Sequence, residues 1–161
     1  MAGPYPGKRA EEEAIWSLTE LTDSGVNHFV DLTFLKGEST DMLEPYAHLL
    51  DDLPNGSHPG YSRHSIVDLD VPSPDLMRQI LSEIESTVSR GEVVYVHCWG
   101  GVGRTGTVVA CHLVNSGLST DEALARIPEL RAGLIREHRR SPEMSEQEDF
   151  VRAWEPDSDP R

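Results

Sequence analysis

Apolar residues at Ala14, Ile15, Leu18 and Leu21 recur at helical spacing before Gly25, which predicts a surface helix over 10–24. Residues 27–34, NHFVDLTF, are β-branched and aromatic enough for a strand. Gly, Pro, Asn and Asp interrupt 36–60, predicting long loops with one helical turn near Tyr46; such a stretch inside a compact domain is usually functional or poorly packed. Residues 63–69 read as a second strand. Ser73 before Pro74 marks a helix start, and Leu76, Met77, Ile80, Leu81, Ile84 and Val88 form a buried stripe that ends at Gly91. The run 93–97, VVYVH, is apolar almost throughout, as a parallel strand buried on both faces should be. TVVACHLVNSG follows as a buried helix closed by Gly117. Two more helices are expected, over 119–131 with a Ser119/Glu122 capping box and over 142–154 introduced by Ser141.

Strands alternating with helices, then helices alone, predict an α/β fold: a short, mostly parallel sheet flanked by helices. The Pro- and Gly-rich residues 1–9 and the polar 155–161 are expected to be flexible tails around a single domain over 10–154.

Composition narrows the function classes. The chain has 161 residues, 37% of them hydrophobic and 26% charged, enough apolar material for one soluble globular core. Its net charge of −14 argues against nucleic acid and against anionic membrane surfaces, both of which are bound through clustered cations. No apolar run approaches the ~20 residues of a membrane span, and the N-terminus lacks the apolar centre of a signal peptide; a cytoplasmic monomer is expected. Cys98 and Cys111 are the only cysteines, too few for a disulfide framework and without metal-ligand spacing.

The chemistry concentrates in VHCWGGVGRTGT, where a strand runs into a Gly-rich loop that opens a helix. Such a loop presents backbone N–H groups at a helix N-terminus, a ready anion site. A Walker A reading fails, because there is no Lys from Gly91 to the C-terminus. Gly101, Gly103 and Gly106 spell the dinucleotide pattern G-x-G-x-x-G, but no strand with a terminal acid follows. A third reading uses Cys98 and Arg104. A cysteine at the end of a buried strand, facing that anion site, is in a setting that stabilises a thiolate, and an arginine offers a planar fork for two phosphate oxygens. The bland alternative, an inert buried cysteine, leaves the glycines and Arg104 without a role.

The segment from His97 to Gly106 resembles the phosphate-binding loop of cysteine-dependent protein tyrosine and dual-specificity phosphatases, His-Cys-x5-Arg followed by Ser or Thr. The length before Cys98 suits the compact dual-specificity type better than the larger tyrosine phosphatase domains, and the low-molecular-weight class fits poorly. The resemblance extends more loosely over 25–154, and it implies a fold with this loop between a central strand and a buried helix. It also implies a phosphomonoester hydrolase working through a cysteinyl-phosphate, with no metal and no organic cofactor, acting on a phosphorylated protein or small phosphomonoester. Cys98 is then the nucleophile. Arg104 with the loop residues Trp99, Gly100, Gly101, Val102 and Gly103 binds the phosphoryl oxygens, and Thr105 stabilises the leaving thiolate. IVDLDVP resembles the family's Ile-x-Asp segment and makes Asp68 the general acid, with Asp70 as its competitor. Alternatives are a phosphoprotein-binding module with little catalysis and a phosphatase of non-protein substrates such as phosphoinositides.

Other residues carry weaker expectations. His97 either supports the thiolate through hydrogen bonding or is a satisfied core histidine. Gln147 either positions water, as in some compact phosphatases, or lies on a helix surface. Asp31 fits a structural carboxylate, Cys111 a core residue, and Trp99 either shapes the pocket rim or packs. The basic run 131–140 either reads as a solvated helix end or turns one Arg toward the substrate.

Overall fold

The computed structural model describes residues 1–34, 41 and 43–156. In chain order its elements are β1 (Ala2–Gly3), α1 (Glu11–Asp23), β2 (Val26–Asp31), a 3₁₀ helix (Ala47–Asp52), β3 (Gly60–Arg63), α2 (Pro74–Ser89), β4 (Val93–His97), α3 (Gly103–Asn115), α4 (Thr120–Leu130) and α5 (Ser145–Arg152). The four strands lie in the order β1-β4-β2-β3, and every neighbouring pair is parallel.

Strand alternation explains why the sheet is apolar on both faces. Val30, Val94 and Val96 point into one core with α2, α3 and Ile127 of α4. Phe29 and Tyr95 point into the other, against α1, the 3₁₀ helix and Tyr46. On α2 the side chains of Met77, Ile80, Leu81 and Ile84 are buried, and the Ser73 hydroxyl caps the helix by accepting from the Leu76 amide. The Ser119/Glu122 capping box on α4 is present as expected.

Two differences from the sequence reading bear on the site. Residues 1–9, expected as a tail, include β1, which pairs Ala2 with Val96 and Gly3 with His97. The Tyr5 amide donates to the Trp99 carbonyl, and the Tyr5 ring is buried edge-on against Tyr46 and His97. A two-residue strand leaves no periodic signal, which is why composition alone suggested a tail. The strand expected over 63–69 is instead Gly60–Arg63. Beyond Arg63 only scattered bonds continue, such as Ile66 N–H to the Leu32 carbonyl, so Asp68 lies on a loop. The tail expected over 155–161 lies outside the described residues from 157 on.

Candidate active site

The register of β2 and β4 places Asp31 beside His97 at the C-terminal ends of adjacent strands, where ligands of parallel α/β sheets bind. Cys98 follows at once, and the chain turns into α3 at Gly103. A cleft of about 260 Å³ is lined by Cys98, Trp99, Gly100, Val102, Gly103 and Arg104 of the loop, by Asp68 and Leu69, and by Arg136, Arg139, Glu143 and Gln147. A larger cavity of about 810 Å³, mostly aliphatic, lies on the far side of the loop and includes none of Cys98, Arg104 and Asp68.

Gly101 does not line the cleft. It takes a left-handed φ of 67°, and a Cβ there would stand 2.5 Å from the Gly3 backbone, so only glycine lets β1 and the loop approach this closely. Its carbonyl accepts from Arg131 Nη1 at 2.5 Å. Thr105 is buried behind the loop, and its hydroxyl has no hydrogen-bond partner among the described residues.

Arg104 is 2% exposed and held on several sides. Its Nη1 and Nη2 donate to the two carboxylate oxygens of Asp41, both at 2.7 Å. Nη1 also donates to the Ile66 carbonyl at 3.0 Å, and Nη2 lies 2.8 Å from Asp68 Oδ1. Burial works to raise the Asp41 pKa, but the Arg104 bonds, the Phe34 amide and the Arg104 charge outweigh it, and Asp41 titrates below the usual carboxylate range. Burial likewise opposes the charge on Arg104, and Asp41, Cys98 and Asp68 reverse that and raise its pKa. Asp41 is the residue that sequence reasoning missed. It lies 63 positions from Arg104 in a stretch read only as loop, with no pattern to single it out.

The acid-bearing loop separates its two aspartates. Leu69 between them adopts a left-handed φ of 65°, a conformation that non-glycine residues rarely take. Asp68 turns into the cleft toward Arg104. Asp70 is exposed and does not line the cleft; its carboxylate accepts from the adjacent Val71 amide.

Behind Cys98, His97 and Asp31 are fully buried and paired. His97 Nε2 is 2.5 Å from the Tyr46 hydroxyl, and Nδ1 is 3.3 Å from the Cys98 carbonyl, which fits a neutral ring donating from Nδ1 and accepting at Nε2. Burial, against the opposing pull of Asp31, pushes the His97 pKa down to about 4. Asp31 is fully buried, as expected of a structural carboxylate. It accepts from the Thr33 amide and hydroxyl, the Tyr61 hydroxyl and Arg63.

The basic run 131–140 is not a helix end. Helix α4 stops at Leu130, and the run folds as turns that use left-handed Gly133 and Arg136. Arg131 is buried, and Arg136 and Arg139 line the cleft. Trp99 is 50% exposed at the rim, with the Arg136 guanidinium 5.5 Å from its ring centroid. Gln147, far from being a helix-surface residue, is fully buried. Its amide donates to the Asp70 carbonyl at 3.1 Å, and its oxygen accepts from the Glu143 amide at 3.0 Å, so it ties the acid-bearing loop to the start of α5. Cys111 lies in the core as expected, and burial pushes its thiol up to about 12.

The chain matches the model of a Swiss Army Knife protein, DSP-PTPase phosphatase domain, over residues 10–151. The tyrosine-protein phosphatase CDC14 of Candida albicans is 28% identical over 65 residues, which are 40% of this chain and 12% of that protein. The dual specificity protein phosphatase CDC14AB of Danio rerio is 41% identical over 70 residues, 43% of this chain and 11% of that protein. The chain therefore spans only a small part of these relatives' length. Among solved structures, Tk-PTP in its active form is 29% identical with a TM-score of 0.65, the match covering 90% of this chain and 85% of that one.

Proposed function

The chain belongs to the dual-specificity type of protein tyrosine phosphatase domains, and from that premise we propose that it is a cysteine-dependent phosphatase unit, β1 included, acting on phosphorylated protein. One observation carries this reading: Cys98, Arg104 and Asp68 line a single cleft, with Arg104 anchored on its inner side by Asp41 and meeting Asp68 on its outer side.

The Cys98 thiolate attacks phosphorus in line with the ester oxygen, so an S–P bond forms as the P–O bond breaks. Arg104 and the cleft-lining loop residues Trp99, Gly100, Val102 and Gly103 bind the phosphoryl oxygens and offset their charge in the transition state. An incoming phosphate displaces Asp68 from Arg104 Nη2; the freed carboxylate takes up a proton from solvent and delivers it to the leaving oxygen as the P–O bond breaks. In the second step Asp68 takes a proton from water, the water oxygen attacks phosphorus, and the S–P bond breaks to regenerate the thiolate, which the Thr105 hydroxyl stabilises. His97, held neutral by burial, orients the start of the loop and takes no proton from substrate. Gln147 holds the acid-bearing loop through the Asp70 carbonyl.

The test is turnover of a small aryl phosphate by the purified protein. Turnover that persists in EDTA, is blocked by vanadate and is lost in Cys98→Ser supports the proposal, because a serine hydroxyl in this loop stays protonated. Tight phosphopeptide binding with no turnover would overturn it in favour of a phosphate-reading module.

A further inference from the structure

The cations that line the cleft, Arg104, Arg136 and Arg139, differ in their partners. Arg104 is paired with Asp41 and Asp68, and Arg139 is paired with Glu143. Arg136 has neither a carboxylate partner nor a side-chain hydrogen bond among the described residues, although it lines the same cleft as Cys98.

Its position is nonetheless fixed. The Arg136 guanidinium stacks over Trp99, and a Cβ on Gly100 would stand 2.5 Å from its Nη1, so the glycine admits it against the loop. The Arg136 carbonyl accepts from Arg131 Nη2 at 2.9 Å, while Nη1 of the same Arg131 holds the Gly101 carbonyl. Buried Arg131 thereby locks the turn to the phosphate-binding loop. The left-handed backbone of Arg136, φ 66°, is a conformation that an L residue adopts only when its surroundings impose it. A planar cation laid on an indole, with its N–H edge open beside the nucleophile, is suited to receive an oxyanion.

We propose that Trp99 and Arg136 form an anion subsite that receives a second acidic group, carboxylate or phosphate, carried by the same phosphopeptide whose phosphoryl group enters the Cys98 loop. This rests on the phosphatase reading above and extends it to the substrate. The chain's net charge of −14 repels acidic peptides at long range, so the preference comes from this short-range contact.

The test compares kcat/KM for matched phosphotyrosine peptides whose flanking residue is Asp, Asn or phosphoserine. The Asp peptide should exceed the Asn peptide by about tenfold, the scale of one charge-assisted contact, with the phosphoserine peptide at least equal to the Asp peptide. Arg136→Gln should bring the Asp/Asn ratio close to one. Arg136→Gly, compatible with the left-handed backbone, should do the same, and Arg136→Lys should retain part of the ratio. An Asp/Asn ratio within twofold in the unaltered protein, or a ratio kept in both Arg136→Gln and Arg136→Gly, overturns the subsite. A tenfold preference for a soluble short-chain phosphoinositide over the Asp peptide overturns its assignment to phosphopeptides. Calorimetric affinities of Cys98→Ser for the same peptides read the subsite without turnover, so failure of the chemistry and failure of the subsite are told apart.

Discussion

Asp41 and Asp68 share one arginine through two different kinds of contact. The Asp41 side chain is 1% exposed and grips Arg104 with both oxygens; the Asp68 side chain is 26% exposed and touches it with one. The first contact has no access to water and a fork geometry that fixes the guanidinium. The second is open on one side and can be exchanged for a phosphate oxygen. A carboxylate's burial and its number of contacts therefore separate the anchor, Asp41, from Asp68, the reagent of the proposed reaction, although both meet the same cation.

The anchor gives the largest predicted effect. Asp41→Ala leaves Arg104 buried without its main partner and should destabilise the fold by about 3–5 kcal/mol, the usual cost of breaking a buried pair, as read from the urea unfolding midpoint. Asp41→Asn tests the charge separately. Because Asp41 titrates below the usual range when folded, its contribution is present above its unfolded value near pH 4 and is lost as pH falls through the folded value. The unaltered protein should thus lose stability more steeply than Asp41→Asn as pH falls below about 5, and equal slopes would show that Asp41 is not the anchor.

Asp68, the proposed reagent, should behave in reverse. Asp68→Asn should change stability by less than about 1 kcal/mol, as partly exposed ion pairs do, yet slow turnover of a poor leaving group by roughly 10²- to 10⁴-fold. With a leaving group that needs no proton the loss should shrink. A stability loss as large as that of Asp41→Ala, with no dependence on leaving group, would erase the distinction.

The two cysteines extend the comparison to the proposed nucleophile, since both are buried and, of the two, Cys98 lines the cleft. Iodoacetamide should alkylate Cys98, with protection by phosphate, and leave Cys111 intact in the folded protein. Peptide mapping after timed labelling reads this. Comparable labelling of both would mean that the cleft does not distinguish them.

What was legible in the sequence was what lies close together along it. The loop from Cys98 to Thr105 reads directly, because its glycines, cysteine and arginine are contiguous, and so do α2 and β4, whose burial patterns are long and regular. Asp41 was not legible, because its role exists only through a partner 63 positions away. Nor was β1, whose order comes from the ladder to β4 and the burial of Tyr5 rather than from any period of its own. The basic run misled for a related reason: nothing local shows that Arg131 turns inward to the Gly101 carbonyl while Arg136 settles on Trp99.

The smallest predicted effect falls on Asp70, the competitor two positions from Asp68. Its carboxylate is exposed and, among the described residues, accepts only a neighbouring amide, whereas its backbone carbonyl is what Gln147 holds. Asp70→Asn keeps that carbonyl and should leave stability within about 0.5 kcal/mol, as surface changes away from special features do. Turnover of a poor leaving group should stay within about twofold, far below the scale of a lost general acid. Gln147→Ala should act on the same loop from behind, slowing that substrate more than an activated one, because a loosened Asp70 carbonyl lets Asp68 drift from Arg104. If Asp70→Asn instead shows the leaving-group-dependent loss and Asp68→Asn does not, the two aspartates exchange roles, and the contact between Asp68 and Arg104 becomes a second anchor.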